Sequence, residues 1–343
     1  MSTQLLLTEA GLPDYLRERG IARGNHLVQV ESAGDGNINW VRRARLGPAE
    51  SVVVKQARPA LERFPQYQAS TERLVFESRY LELAAPFDEE DLCPRVLDFD
   101  EANRVLILED LGDSERLDAA LARQADVSDA ACAIARFLGR IHRATAGDAS
   151  LHERFRNEDM QRLHGEHIFA LPYQENDFEL PEQTAACADQ LRADDALVSA
   201  AASAYQRYLT PEGALVHADV QPGNVLLTAS GPKLLDAEIA HVGDPAFDVG
   251  TLLAHLVLPA AARGDAKPAA EVCSAVWSAY RQAHGPGHPT REATCRYAGL
   301  ELLRRTVGAA RVPAIESDAA GLRVVALGRE LVTDPESVAF AAD

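Results

Sequence analysis

Between residues 214 and 250 the sequence reads ALVHADVQPGNVLLTASGPKLLDAEIAHVGDPAFDVG. It carries His217, Asp219 and Asn224 at the spacing H-x-D-x-x-x-x-N, with Asp236 twelve residues further on. A carboxylate beside a second carboxylate and an amide oxygen suits phosphoryl transfer from a metal-bound nucleotide, because that chemistry is mostly positioning and charge neutralisation. Asp219 would accept the proton of an attacking hydroxyl, and Asn224 and Asp236 would hold magnesium. Asp and Asn also occur in ordinary turns and caps, so the pattern needs support from local structure. The runs VLL and KLL flank TASGP, which predicts that 224–227 pair antiparallel with 233–236. If the pairing is symmetric about the turn, Asn224 faces Asp236. Directly opposed residues place their Cβ atoms roughly 4.5–5.5 Å apart, a separation compatible with two oxygen ligands on one metal or on a pair.

Lys55, on the run VVVKQA, is a cation that could bridge the α- and β-phosphates of ATP. The spacing around Asp219 coincides with the catalytic loop of protein kinases, in which such a lysine is held by a helical glutamate. Glu77, mid-helix and 22 residues after Lys55, is preferred over Glu72 and Glu82. The loop Gly34, Asp35, Gly36 and Asn37 could lay backbone amides over phosphates, or it could be a plain hairpin turn. Glu238 lies two positions after Asp236 and points to the same side of an extended chain, so it is available to share the metal. Asp248 reads as a helix cap or a brace for the catalytic loop. His142 reads as a buried structural histidine, and HGEH at 164–167 lacks the H-E-x-x-H spacing of a zinc site.

The elements that must position these groups follow from periodicity. Residues 27–57 alternate between Val-, Ile- and Trp-rich runs and the turn signals GDGN and GPAES, which predicts a three-strand meander. A helix is expected at 70–85, with Ser70 or Thr71 as N-cap, then a strand pair turning at 101–103. From about residue 114 the chain becomes Ala-rich and helical, with further helices near 246–262, 267–284, 290–309 and 318–332. The expected fold class is α+β. A small lobe at 1–111, with an antiparallel five-stranded sheet plus a helix, would bind the nucleotide phosphates. A larger, mostly helical lobe at 112–343 would carry the catalytic loop, the metal and the acceptor.

On GDGNIN (34–39), VVVKQA (52–57), HADVQPGN (217–224), DAE (236–238), PAFDVG (245–250) and LLRRTVGAARV (302–312), the chain resembles the aminoglycoside phosphotransferase and choline kinase superfamily. The D-x-E motif and the double arginine make it most similar to methylthioribose kinases. The resemblance implies a bilobal protein-kinase-like fold, ATP and Mg2+ as cofactors, a homodimer, and phosphorylation of the anomeric hydroxyl of 5-methylthioribose or a related pentose. It implies Asp219 as base, Asp236 and Glu238 as metal ligands, and Lys55 as phosphate contact. A hinge at Glu109, Asp110 and Leu111 would receive adenine through backbone groups. Arg304 and Arg305 would face the reacting hydroxyl and the transferring phosphoryl, a role suited to a planar guanidinium. Four departures bear on the substrate: Ala218 stands where relatives usually carry Gly, QPGN is closer to aminoglycoside and choline kinases, Phe64 in RFPQYQAS (63–70) stands where a tryptophan is expected in a substrate-side loop, and the chain is shorter than typical methylthioribose kinases.

Composition limits the partners. The chain has 343 residues, 47% of them hydrophobic, enough to bury a large core. With 34 Lys plus Arg against 52 Asp plus Glu, its net charge of −18 is opposite to that of a nucleic-acid binder. No apolar run is long enough for a membrane span, no signal peptide opens the chain, and the five scattered cysteines suggest a reducing compartment, so a cytoplasmic location is expected. The acceptor is expected to be a small sugar or amino alcohol. Competing expectations are an aminoglycoside- or choline-type enzyme with a cationic acceptor, and a pseudokinase that binds nucleotide without turnover.

Overall fold

The computed structural model describes residues 4–23, 29–33, 38–48, 50–60 and 69–336. The expected phosphate loop, Gly34, Asp35, Gly36 and Asn37, lies outside the described residues, as does Phe64. The chain runs α1 (Leu12–Glu18), β1 (Gln29–Ser32), β2 (Trp40–Gly47), β3 (Glu50–Gln56), α2 (Arg73–Ala84), β4 (Val96–Asp100) and β5 (Val105–Glu109). These strands form one antiparallel sheet in the order β1-β2-β3-β5-β4.

Period-two alternation gives this sheet two different faces. Val52, Val54, Val105 and Ile107 pack with Leu12, Tyr15 and Leu16 of α1, an element that the periodicity analysis did not anticipate. Ala57, Leu106 and Leu108 point the other way, onto Leu74 and Leu81 of α2. Lys55 pairs with Leu106 and shares that second face, so its ammonium is directed toward α2. The helix starts at Arg73 rather than Ser70. Its N-cap, Glu72, makes no side-chain capping bond, and the Ser70 hydroxyl accepts from the Glu72 amide instead.

The rest is mostly helical. β6 (Glu115–Arg116), α3 (Leu117–Ala122), α4 (Ser128–Thr145), α5 (Ser150–Arg154), α6 (Glu158–Phe169), α7 (Glu182–Arg192) and α8 (Asp195–Leu209) lead to a β-rich insert. That insert holds β7 (Ala214–Val216), β8 (Val225–Thr228), β9 (Gly231–Leu234) and β10 (His241–Gly243), with β7 paired to β10 and β6-β8-β9 forming a small sheet. α9 (Ala246–Arg263), α10 (Lys267–His284), α11 (Arg291–Val307) and α12 (Asp318–Thr333) complete the lobe. No helix among the described residues is long and apolar enough to cross a membrane.

One register differs from expectation. The β8–β9 loop is only Ala229 and Ser230, so Thr228 pairs with Gly231 and Val225 with Leu234. Gly231 takes φ +126°, and the Thr228 hydroxyl donates to its carbonyl at 2.8 Å, which closes the turn tightly. Asn224 therefore faces Leu235, whose amide donates to its carbonyl at 2.8 Å, and is not opposite Asp236.

α9 is the axis of the large lobe, buried along nearly its whole length. α11 crosses it at Gly250, where a Cβ would lie 2.7 Å from the Thr294 carbonyl and 2.8 Å from Tyr297 Cβ. Gly250→Ala should force the helices apart and destabilise the protein by about 1–3 kcal/mol, read as a lower denaturant midpoint; an unchanged midpoint would contradict this packing.

Candidate active site

Lys55 is buried between the sheet and α2. Its Nζ donates to both Glu77 oxygens at 2.8 Å and to Asp236 Oδ1. Glu77, chosen among three helical glutamates, is thus the partner found. Burial disfavours the charge of Lys55, but the carboxylates of Asp236, Glu77 and Glu238 override it and hold the ammonium protonated. For Glu77, burial pushes the carboxyl up against the pull of Lys55. Burial also opposes the charge of Asp236, but Lys55 holds that carboxyl below its ordinary range.

Asp236 leaves the end of β9 in the left-handed region, φ +64°. That turn, rather than cross-strand pairing with Asn224, aims its carboxylate at Lys55, and the side chain remains 43% exposed. Glu238 is buried: Asn39 Nδ2 donates to its Oε2 at 2.8 Å, and Arg73 Nε lies 3.8 Å from the same oxygen. Burial raises its carboxyl above the usual range despite Lys55 nearby. Arg73 also donates to Asn39 Oδ1 at 2.8 Å, forming a relay from the start of α2 to the D-x-E motif. Neither Asn39 nor Arg73 stood out in the sequence.

The catalytic loop is shaped from below by Asp248 on α9, which accepts from the amides of His217 at 2.7 Å and Ala218 at 2.8 Å and lies 3.2 Å from His142 Nε2. Burial opposes its charge, but His142, His217 and the loop amides hold the carboxyl below its usual range. His142 is fully buried, as its helical setting suggested. Burial pushes the His217 imidazole below its usual range, and its Nδ1 accepts from the Asp219 amide at 3.2 Å. It shapes the loop. Ala218 sits at φ +66°, a region in which a Cβ costs about 1–2 kcal/mol.

The Asn224 amide donates to Asp219 Oδ2 at 2.7 Å and to the Asp219 carbonyl at 3.0 Å. Gln221 Nε2 donates to the same Oδ2 at 3.0 Å. On α11 the carboxylate of Glu301 collects His255 Nε2 at 3.0 Å, Arg305 Nε at 2.7 Å and Arg304 Nη1 at 3.1 and 3.2 Å. Burial alone would raise the Glu301 carboxyl; the two arginines and the His255 hydrogen bond hold it well below its usual range. The i, i+3, i+4 spacing of Glu301, Arg304 and Arg305 was a readable signal for this cluster. Arg304 Nε is buried without a partner among the described residues, whereas Arg305 Nη2 donates to Gln221 Oε1 at 2.8 Å.

At the expected hinge, Glu109 closes β5 with its amide bonded to the Arg95 carbonyl at 3.0 Å. Asp110 Oδ2 accepts from Ser51 Oγ at 2.5 Å and lies 2.8 Å from Arg43 Nε, and Asp110 Oδ1 accepts from the Gly112 amide at 3.0 Å. Leu111 follows, its carbonyl accepting from Ser114 Oγ at 2.9 Å.

Residues 29–283 match the phosphotransferase enzyme family, APH. The chain belongs to this family. It is an ATP-dependent kinase acting on a hydroxyl group. The methylthioribose kinase of Bacillus mycoides (strain KBAB4) is 28% identical over 366 aligned positions, covering 95% of this chain and 92% of that one. The methylthioribose kinase of Yersinia enterocolitica serotype O:8 is 30% identical over 277, covering 75% and 67%. Among solved structures, choline kinase LicA from Streptococcus pneumoniae superposes with a TM-score of 0.52 at 15% identity, covering 94% of this chain and 98% of that one. An aminoglycoside phosphotransferase from Alicyclobacillus acidocaldarius gives 0.53 at 15% identity, covering 98% of each. These likenesses establish the bilobal kinase-like fold.

Three carboxylates, Glu77, Asp236 and Glu238, gather around Lys55, and Arg73 approaches Glu238 from outside. Among the described residues no three His, Cys, Asp or Glu side chains form a ready metal cage. A magnesium site needs less: one or two carboxylates plus substrate phosphates and water suffice. The exposed Asp236 carboxylate and the surplus negative charge fit that requirement.

The left-handed backbone at Ala218 yields a direct test. Ala218→Gly should relieve the strain and stabilise the fold by about 1 kcal/mol, seen as a higher melting temperature; an unchanged or lower value would show that the Ala218 methyl is not strained.

Proposed function

We propose that this kinase phosphorylates the anomeric hydroxyl of 5-methylthioribose or a closely related pentose, with Asp219 as the general base. The observation that carries the reading is that Asp219 is bonded by Asn224 and, through Gln221, linked to Arg305 of α11, in a chain whose similarity to methylthioribose kinases spans 95% of its length. Asp219 accepts the proton of the acceptor hydroxyl as its oxygen attacks the γ-phosphorus. Lys55, fixed by Glu77, contacts the α- and β-phosphates. The hinge at Glu109, Asp110 and Leu111 receives adenine. Arg304 faces the acceptor side and offsets the charge that develops on the transferring group.

Asp236, Asn224 through Oδ1, and Glu238 through Oε1 are the groups that would hold magnesium. Bound there, the ion would neutralise phosphate charge. The same reading makes the enzyme a cytoplasmic homodimer of a reducing compartment; the five cysteines form no disulfide.

A cationic acceptor is the competing reading, supported by QPGN in the catalytic loop. The carboxylates that could have attracted one, Glu158, Asp159, Glu166, Glu175 and Asp177, are exposed, while the Arg305 guanidinium bonds Gln221 of the loop that carries Asp219. That charge favours a neutral sugar.

Turnover with ATP should be highest for 5-methylthioribose in a panel with 5-deoxyribose, ribose, choline and kanamycin. Inactivity on 5-methylthioribose and 5-deoxyribose alike would overturn the acceptor assignment. Asp219→Ala should lower kcat by at least ~10²-fold while ATP still binds by calorimetry, and normal turnover in that variant would remove Asp219 from the mechanism.

A further inference from the structure

Gln221 stands between the catalytic loop and α11, bonded at both ends of its amide. Nε2 donates to Asp219 Oδ2 at 3.0 Å, and Oε1 accepts from Arg305 Nη2 at 2.8 Å. The orientation of the amide is determined, because a guanidinium only donates and a carboxylate only accepts. Asp219 Oδ2 also accepts from Asn224 at 2.7 Å. That oxygen is doubly held, which leaves Oδ1 as the atom open to a hydroxyl.

Arg305 has little freedom of its own. It is 7% exposed, its Nε is bound to Glu301 at 2.7 Å, and its Nη1 donates to the Ala310 carbonyl at 3.4 Å. A planar guanidinium pinned at Nε has a fixed Nη2 direction. The direction it fixes is the one Gln221 occupies.

We infer that Gln221 is a positioning residue of the transfer reaction, the strut through which Arg305 sets the rotamer of Asp219 and reserves Oδ1 for the acceptor hydroxyl. The inference rests on the reading of Asp219 as the base. In the step it serves, the acceptor O–H bond breaks with its proton passing to Asp219 Oδ1. The acceptor oxygen bonds to the γ-phosphorus, and the bond from that phosphorus to the bridging oxygen breaks, leaving its electron pair on ADP. The double arginine is thereby divided in function. Arg305 acts on the base through Gln221, whereas Arg304 bonds Glu301 alone among the described side-chain contacts.

Gln221→Met removes both ends of the strut, and Gln221→Glu keeps the acceptor for Arg305 but sets a second carboxylate against Asp219. Both are assayed with ATP and 5-methylthioribose, and as ATP hydrolysis with water as acceptor. Gln221→Met should lower kcat by about 10- to 100-fold with the KM for ATP and the melting temperature unchanged. Gln221→Glu should lower kcat as well, because it sets like charge against Asp219. Adding Arg305→Met to Gln221→Met should cost little more, because the two act in series. A crystal structure of Gln221→Met should show the Asp219 carboxylate turned from its present rotamer, whichever acceptor the enzyme uses. A kcat within about twofold of wild type for both Gln221 variants, multiplying effects in the double variant, or an unmoved Asp219 would each overturn the inference. If Arg305→Met does not fold, the partly exposed Gln221 variants decide alone. Asp219→Asn keeps the two failures apart: if it turns over normally the base assignment fails, and if it is inactive while both Gln221 variants behave as wild type, only the strut is refuted.

Discussion

The structure depends on one buried cation shared by two lobes. Lys55 belongs to the sheet, Glu77 to the helix beneath it, and Asp236 to the far side of the cleft, yet all three meet at one ammonium. Removing one partner from such a buried group costs about 3–5 kcal/mol, a large share of the 5–15 kcal/mol that a typical domain has. The lysine therefore positions α2 against the sheet and the metal motif against both. The relay from Arg73 through Asn39 to Glu238 runs parallel to it and crosses the same cleft.

The large lobe holds its reactive groups mainly through the backbone. Asp248 grips two successive loop amides, and Asp236 is aimed by a left-handed turn. Side chains then tie the carboxylates: Lys55 bonds Asp236, Asn39 bonds Glu238, and two side-chain amides converge on one oxygen of Asp219. The two oxygens of Asp219 are thus inequivalent before any ligand arrives, which limits the orientational freedom of the carboxylate.

Much of this was legible in the sequence because it is local. The run VVVKQA placed Lys55 on a strand of the meander, and the late helices fell within two residues of their expected ends. The β8–β9 register was off by one because the turn that sets it depends on a threonine hydroxyl and a glycine φ, features that strand patterning does not encode. α1 was missed because its seven residues carry too few apolar repeats to register. Asn39, Arg73 and Gln221 are polar residues whose roles arise only when segments more than thirty positions apart meet. Glu301 could have been found, since its spacing to the double arginine is helical.

The sharing of Glu301 among His255, Arg304 and Arg305 has a consequence for which positions can vary. A buried carboxylate with a single cation would make that cation irreplaceable. Here two arginines and a histidine hydrogen bond meet it, so position 304 can be exchanged while Arg305 still neutralises the acid and His255 still bonds it. Residue 305, tied to both the acid and Gln221, has no such freedom.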